Sequence, residues 1–147
     1  MIVLLDTNCL VAGVLSQRGP CAEILDRWRD GQFDVAVSPH LLTELEQTLG
    51  YPRITARYNI TRAATDAVIR ELQQQAVMFT DPPSPPRTVP GDPNDDYIVA
   101  LANASASRFV VTRDKHFDKV ERTSCTAAIL SPEEFLLKLR ADDTHEP

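Results

Sequence analysis

Met1-Ile2-Val3-Leu4-Leu5-Asp6-Thr7-Asn8 opens the chain, and its reading decides the fold. Four consecutive apolar residues, Ile2 to Leu5, predict a strand buried on both faces, since a strand with one wet face would alternate polar and apolar. The run stops on an acid. In open α/β sheets ligands sit outside the carboxyl ends of the strands, so a carboxylate at the end of a central parallel strand faces that crevice.

The rest of the chain repeats the theme. Gly19-Pro20 starts a helix with Ile24, Leu25 and Trp28 at helical spacing, closed by Gly31. A short strand over 33–37 is followed by Ser38-Pro39, an N-cap with proline in the first turn, and then by an inward stripe of Leu41, Leu42, Leu45 and Leu49. Glu44 lies on the edge of that stripe. Residues 53–58 read as irregular or helical, and Thr61 caps a helix expected to turn Ala64, Val68 and Leu72 inward. Residues 76–79 read as a short edge strand. Six prolines between Pro82 and Pro93 forbid regular structure there and mark a surface loop. Asp95 opens a helix with Ile98, Val99, Leu101 and Ala102 on its apolar side. Strands at 109–112 and 126–130 follow, the first running into Arg113-Asp114, and Ser131-Pro132-Glu133-Glu134 is a capping box.

This alternation predicts an α/β fold, an α/β/α sandwich around a central, mainly parallel sheet of four or five strands. One domain is expected over residues 1–140, with 141–147 as a disordered polar tail. A 43% hydrophobic and 24% charged composition suits a soluble globular protein. No apolar run reaches the roughly 20 residues of a membrane span, and the opening run lacks the basic flank of a signal peptide, so the expected location is cytoplasmic. Cys9, Cys21 and Cys125 are odd in number and lack zinc-site spacing, which predicts small buried thiols.

Right-handed crossovers put the strand-to-helix loops on one edge, and that edge collects Asp6, Asp95 and Asp114, with Glu44 able to join from its helix. Singly, each acid has an ordinary explanation: Asp6 could cap the first helix, Glu44 could be a solvated flank, Asp114 could be a turn residue, and Asp92, Asp95 and Asp96 could be first-turn acids. Together they would repel one another and resist desolvation unless a cation were present. Oxygen ligands with no nitrogen or sulfur partner indicate Mg²⁺ or Mn²⁺. Such a site suits phosphodiester hydrolysis by an activated water.

The motifs 2–8, 37–45 (Val37-Ser38-Pro39-His40-Leu41-Leu42-Thr43-Glu44-Leu45), 92–102 (opening Asp92-Pro93-Asn94-Asp95-Asp96) and 111–117 (Val111-Thr112-Arg113-Asp114-Lys115-His116-Phe117) stand in that order. In this the chain resembles the PIN-domain family of metal-dependent ribonucleases, and within it the VapC-type toxins of bacteria and archaea. The resemblance implies cleavage of single-stranded or structured RNA, an Mg²⁺ or Mn²⁺ cofactor, a homodimer and a small antitoxin partner. Carried over by position, Asp6, Glu44, Asp95 and Asp114 are the catalytic and metal-binding acids, with Asn8, Thr112 and Asp96 in support. Asp95 rather than Asp96 is the ligand because Ile98 and Ala100 then fall at the family's offsets from the acid. The implied mechanism has Asp6, Asp95 and Asp114 holding one metal, while Glu44 helps hold a second or orients the water.

A net charge of −6 is awkward for RNA binding, which makes Arg53, Arg57, Arg62, Arg87 and Arg113 the candidate phosphate contacts. Other phosphoryl-transfer folds fit less well. Haloacid dehalogenase-type enzymes want Asp-x-Asp where this chain has Asn8, and receiver domains want an acidic pair after the first strand and a late lysine. A non-catalytic binding module that keeps the acids for stability is the alternative of a different class.

Overall fold

The computed structural model describes residues 1–83, 85–90, 95–121 and 123–143. Its centre is β1 (Ile2–Leu5), in which Val3, Leu4 and Leu5 have no solvent exposure at all. β1 pairs in parallel with β2 (Asp34–Val37) on one side, Val3 opposite Val35, and with β4 (Phe109–Val111) on the other, Leu5 opposite Val111. β3 (Val77–Met78) adds to β2 and β5 (Ala128–Leu130) to β4, also parallel, giving the order β3-β2-β1-β4-β5. The continuous apolar runs of β1 and β4 are thus the inner strands. The exposed Val77 and Met78 form an outer edge.

Among the described residues seven α-helices cover the sheet. Between β1 and β2 lie α1 (Thr7–Leu15) and α2 (Pro20–Arg29). Between β2 and β3 lie α3 (Pro39–Leu49), α4 (Pro52–Tyr58) and α5 (Arg62–Gln75). α6 (Asp96–Ala104) precedes β4, a 3₁₀ turn (Lys115–Lys119) follows it, and α7 (Pro132–Asp143) ends the described chain. α2 packs against α1 and α7, and α3 against α1 and α5, whereas α6 packs on β1 and β2. Because the strand order changes direction at β1, the right-handed crossover rule places α6 on the opposite face from α1–α5. The result is the expected α/β/α sandwich with all five strands parallel. None of the helices among the described residues is long and apolar enough to cross a membrane.

Local sequence explains the helix starts. Ser38 Oγ accepts from Leu41 N at 3.2 Å and Thr61 Oγ1 from Ala64 N at 3.1 Å. Ser131 and Glu134 close a reciprocal capping box, Glu134 N donating to Ser131 Oγ at 3.1 Å and Ser131 N to Glu134 Oε1 at 2.9 Å. The leucine stripe of α3 is fully buried, each side chain contributing about 2 kcal/mol of apolar burial. Cys9, Cys21 and Cys125 are free, buried thiols, and Cys9 Sγ donates to Cys21 Sγ across the α1–α2 contact.

α1 begins directly after Asp6 and takes in residues 9–15. Two expectations need correction. On α5 the buried positions are Thr65 and Leu72, with Val68 and Ile69 partly buried, and Ala64 is exposed; a one-residue rotation of the stripe moves Thr65 rather than Ala64 inward. The expected disorder from residue 141 does not hold for 141–143, which continue α7, because Arg27 on α2 reaches Asp143 Oδ2 at 2.8 Å. Residues 144–147 lie outside the described residues.

Gly13 sets how closely α1 approaches α2: a Cβ there would lie 2.5 Å from Leu25 Cδ1 and 2.9 Å from the Cys21 carbonyl oxygen. A side chain can rotate aside, but a helix backbone cannot do so cheaply. Gly13→Ala is therefore expected to lower unfolding free energy by a net ~1–2 kcal/mol, overpacking outweighing the gain of about 1 kcal/mol in helix propensity. Urea denaturation measures it, and a variant as stable as the wild type would show that α1 and α2 can separate freely.

Candidate metal centre

Asp6 holds two backbone roles at once. Its N–H donates to the Val111 carbonyl at 3.0 Å, the last rung between β1 and β4, and its own carbonyl accepts from Leu10 N at 3.1 Å, the first turn of α1. Its side chain makes no capping bond. It is nevertheless buried, 4% exposed, and accepts from Thr112 Oγ1 at 2.8 Å. Thr112 is the neighbouring strand's equivalent residue, its N–H donating to Leu130 O at 2.9 Å. Its hydroxyl also accepts from Asp114 N at 3.0 Å, so one side chain couples the ends of β1 and β4.

Asp114 caps the 3₁₀ turn, accepting from His116 N at 2.9 Å. The turn brings the His116 ring back, Nδ1 lying 3.3 Å from Asp114 Oδ1. Asp95 sits at the N-cap of α6 without a capping side-chain bond. Ligand atoms of Asp95, Asp114 and His116 all lie within 4.8 Å of one another. Glu44, on α3, accepts from Thr7 Oγ1 at 3.0 Å, and His40 Nε2, one turn earlier and stacked on Tyr97 at 4.3 Å, lies 3.8 Å from Glu44 Oε1.

Burial pushes the Asp6 carboxyl up to about 6. The Thr112 hydroxyl and the Thr7 N–H oppose this, and the nearby charges of Asp114 and Glu44 reinforce it. The proximity that raises Asp6 shows that Asp114 and Glu44 belong to the same neighbourhood. These residues fit a divalent cation: Asp95, Asp114 and His116 converge, and Asp6 is a buried acid whose charge the fold alone does not compensate.

Asp96 has a different partner set. It is 1% exposed and accepts from Thr88 N at 2.9 Å and Val89 N at 2.8 Å, with Arg87 Nε at 2.6 Å. Burial alone would raise its pKa, but the two N–H bonds and the guanidinium outweigh burial and hold it below the usual carboxylate range. Asp96 therefore straps the proline-rich loop to α6, and Asp95 is the acid beside Asp114.

The remaining candidates divide. Asn8 is exposed, and the support to Glu44 comes from Thr7, which sequence reasoning passed over. His116 was also missed, because it pairs with no second histidine in the sequence and only the 3₁₀ turn brings it to the acids. An imidazole nitrogen thus stands beside acids that the sequence presented as oxygen donors alone. Arg87 is committed to Asp96, Arg113 to Glu133 at 2.8 Å, and Arg62 to Glu46 and Asp66. Arg53 and Arg57 lie over the exposed Tyr51 and Tyr58 rings, at 6.0 and 5.3 Å from their centroids. Asp92, Pro93 and Asn94 lie outside the described residues. Cavities of about 620 and 540 Å³ open elsewhere, lined by residues such as Trp28 and Glu71 or Phe117 and Ile129, and none of the four acids lines them.

The family model for the PIN domain matches residues 2–116, and the chain belongs to the PIN-domain family. A comparison with curated protein sequences returns no match. Among solved structures, PAE2754 from Pyrobaculum aerophilum superposes with a TM-score of 0.63 at 20% identity, covering 96% of this chain and 90% of that one. VapBC2 from Rickettsia felis, bound to a DNA fragment from their promoter, gives 0.59 at 15% identity over 89% of this chain and 98% of that one. At these identities the two structures show a shared fold.

Two predictions separate the acids. Asp6 is protonated more readily folded than unfolded, so between pH 4 and 6 the native state holds the extra proton and stability falls as pH rises through that window. The shift from 3.8 to about 6 corresponds to about 3 kcal/mol of destabilisation at pH 7 in metal-free protein. Asp6→Asn should accordingly raise unfolding free energy at pH 7 in EDTA by up to that amount and lose the advantage near pH 4; equal stability at both pH values would contradict the buried-charge account. Asp96→Ala should cost about 3 kcal/mol by stranding two N–H groups and a guanidinium. Asp95→Ala should weaken Mn²⁺ binding, with calorimetry as the check on both.

Proposed function

We propose that this protein is a metal-dependent endoribonuclease and the toxin of a toxin–antitoxin pair. The observation that carries the reading is the cluster of Asp95, Asp114 and His116 at the carboxyl edge of the sheet, with ligand atoms within 4.8 Å of one another, beside a buried Asp6 whose carboxylate accepts from the same Thr112 hydroxyl that accepts from the Asp114 N–H. Membership in the PIN-domain family, a family of nucleases, supports it.

Asp6, Asp95 and Asp114 would hold Mg²⁺ or Mn²⁺. A bound divalent cation supplies Lewis acidity at the scissile phosphate and makes water acidic enough to attack it at neutral pH. Thr112 holds the Asp6 carboxylate by its Oδ2 and, through the Asp114 N–H, keeps the ends of β1 and β4 in register. Glu44, which accepts from Thr7 Oγ1, would accept a hydrogen bond from the attacking water or hold a second cation. Neither His40 nor a lysine is needed as the base. The acids line none of the cavities described above, and an open edge suits a polymer lying across the sheet better than a small enclosed substrate. Arg53 and Arg57 on α4, each beside an exposed tyrosine, offer phosphate contacts and rings on which single-stranded bases stack.

An antitoxin and a homodimer complete the proposal. The fold shared with the Rickettsia felis VapBC2 structure supports the first, and the family resemblance supports the second. Co-purification with the product of a small neighbouring reading frame tests the partner, and sedimentation of the isolated chain tests the dimer.

The activity is tested on single-stranded RNA with Mn²⁺ or Mg²⁺. Cleavage should cease in EDTA, and Asp6→Asn should reduce it by at least about a hundredfold while folding normally. Cleavage by Asp6→Asn at the wild-type rate would remove the assignment, and metal binding with no cleavage of any nucleic acid would indicate a binding module.

A further inference from the structure

The proposed site has been described by its acids, yet the side chain that joins Asp95 and Asp114 within 4.8 Å is an imidazole. We infer that His116 is a nitrogen ligand of this same cation site and that it tilts the site toward Mn²⁺ over Mg²⁺. The inference rests on the metal-nuclease reading above and goes beyond it by naming a ligand and the preferred ion.

Three observations carry it. First, His116 is held in place: its N–H donates to Asp114 Oδ1 at 2.9 Å, and the 3₁₀ turn Lys115–Lys119 is anchored by Phe117, one of the most deeply buried side chains. Second, Nδ1 stands 3.3 Å from Asp114 Oδ1. Two neighbouring ligand atoms of an octahedral ion with bonds near 2.1 Å are roughly 3 Å apart, so little movement separates this pair from shared coordination. Third, the ring lies near the two acids at strand and helix ends, Asp95 and Asp114, rather than facing solvent alone.

The chemistry then discriminates between ions. Mg²⁺ is hard, dehydrates reluctantly and takes oxygen ligands. Imidazole is a borderline donor whose affinity rises along the first transition series, so a nitrogen ligand favours Mn²⁺ relative to Mg²⁺. An all-oxygen site would show no such bias from its side chains.

Glutamine at this position keeps a polar side chain with an oxygen donor while removing the nitrogen ligand, and His116 is exposed enough for His116→Gln to fold. Mn²⁺ and Mg²⁺ affinities are measured by calorimetry on the whole chain, and the Mn²⁺ complex is examined by electron spin-echo spectroscopy for ¹⁴N coupling. The expected result is ¹⁴N coupling in the wild type that is lost in His116→Gln, with Mn²⁺ affinity falling at least about tenfold and Mg²⁺ affinity changing by less than about threefold. Coupling that persists in the variant would assign the nitrogen to His40 and overturn the inference, as would an unchanged Mn²⁺ to Mg²⁺ ratio. A wild type that binds neither ion overturns the metal-site reading itself, which distinguishes the two failures.

Discussion

Asp6 is an acid buried at the point where a strand becomes a helix, and the rest of the structure accommodates that. Its backbone completes the ladder between β1 and β4 and starts α1, so the residue cannot move without disturbing both. Its side chain receives one hydroxyl, from Thr112, which is insufficient to offset burial near two other acids. A fold optimised only for stability would place an asparagine or a serine there. The retained carboxylate means that the metal-free protein carries uncompensated strain of an electrostatic kind, stored at the position where a cation would relieve it.

The surrounding elements keep that arrangement from collapsing. Parallel pairing on both sides of β1 aligns the ends of β1 and β4, so Thr112 arrives beside Asp6 by register, and its hydroxyl holds the N–H of Asp114 two residues on. α3 brings Glu44 in from the next crossover, and Thr7 ties it to α1. Asp96 does a separate task beside Asp95: its two N–H bonds and its guanidinium partner fasten the proline-rich loop to α6. Two adjacent acids of identical chemistry thus serve different ends, Asp96 accepting from two loop N–H groups and pairing with Arg87, and Asp95 lying beside Asp114 and His116.

Much of this was legible in the chain. The unbroken apolar run Ile2–Leu5 required an inner strand, Ser38, Thr61 and Ser131 marked helix starts through the hydroxyl bonds they make, and the acids fell at strand and helix ends because the crossover rule leaves one edge for them. What was not legible depends on packing or on tight turns. Thr65 rather than Ala64 faces inward because α5 is rotated by its contact with α3, and α7 persists to Asp143 through an ion pair with a residue over a hundred positions away. His116 reaches the acids only because Asp114 caps a 3₁₀ turn. The sequence pointed to Asn8 as the helper, and helix phase decides that Thr7 meets Glu44 instead.

The central claim is that the acidic edge is incomplete without a divalent cation. Thermal unfolding at pH 7 as Mn²⁺ is added tests it most directly, since a ligand bound only by the native state stabilises by about 2.7 kcal/mol at a hundred times its Kd. The account predicts a Tm that climbs steadily with Mn²⁺ concentration in the wild type and stays flat when Asp6 and Asp114 are both asparagine. A wild-type Tm indifferent to Mn²⁺ and Mg²⁺ up to millimolar concentrations would contradict it.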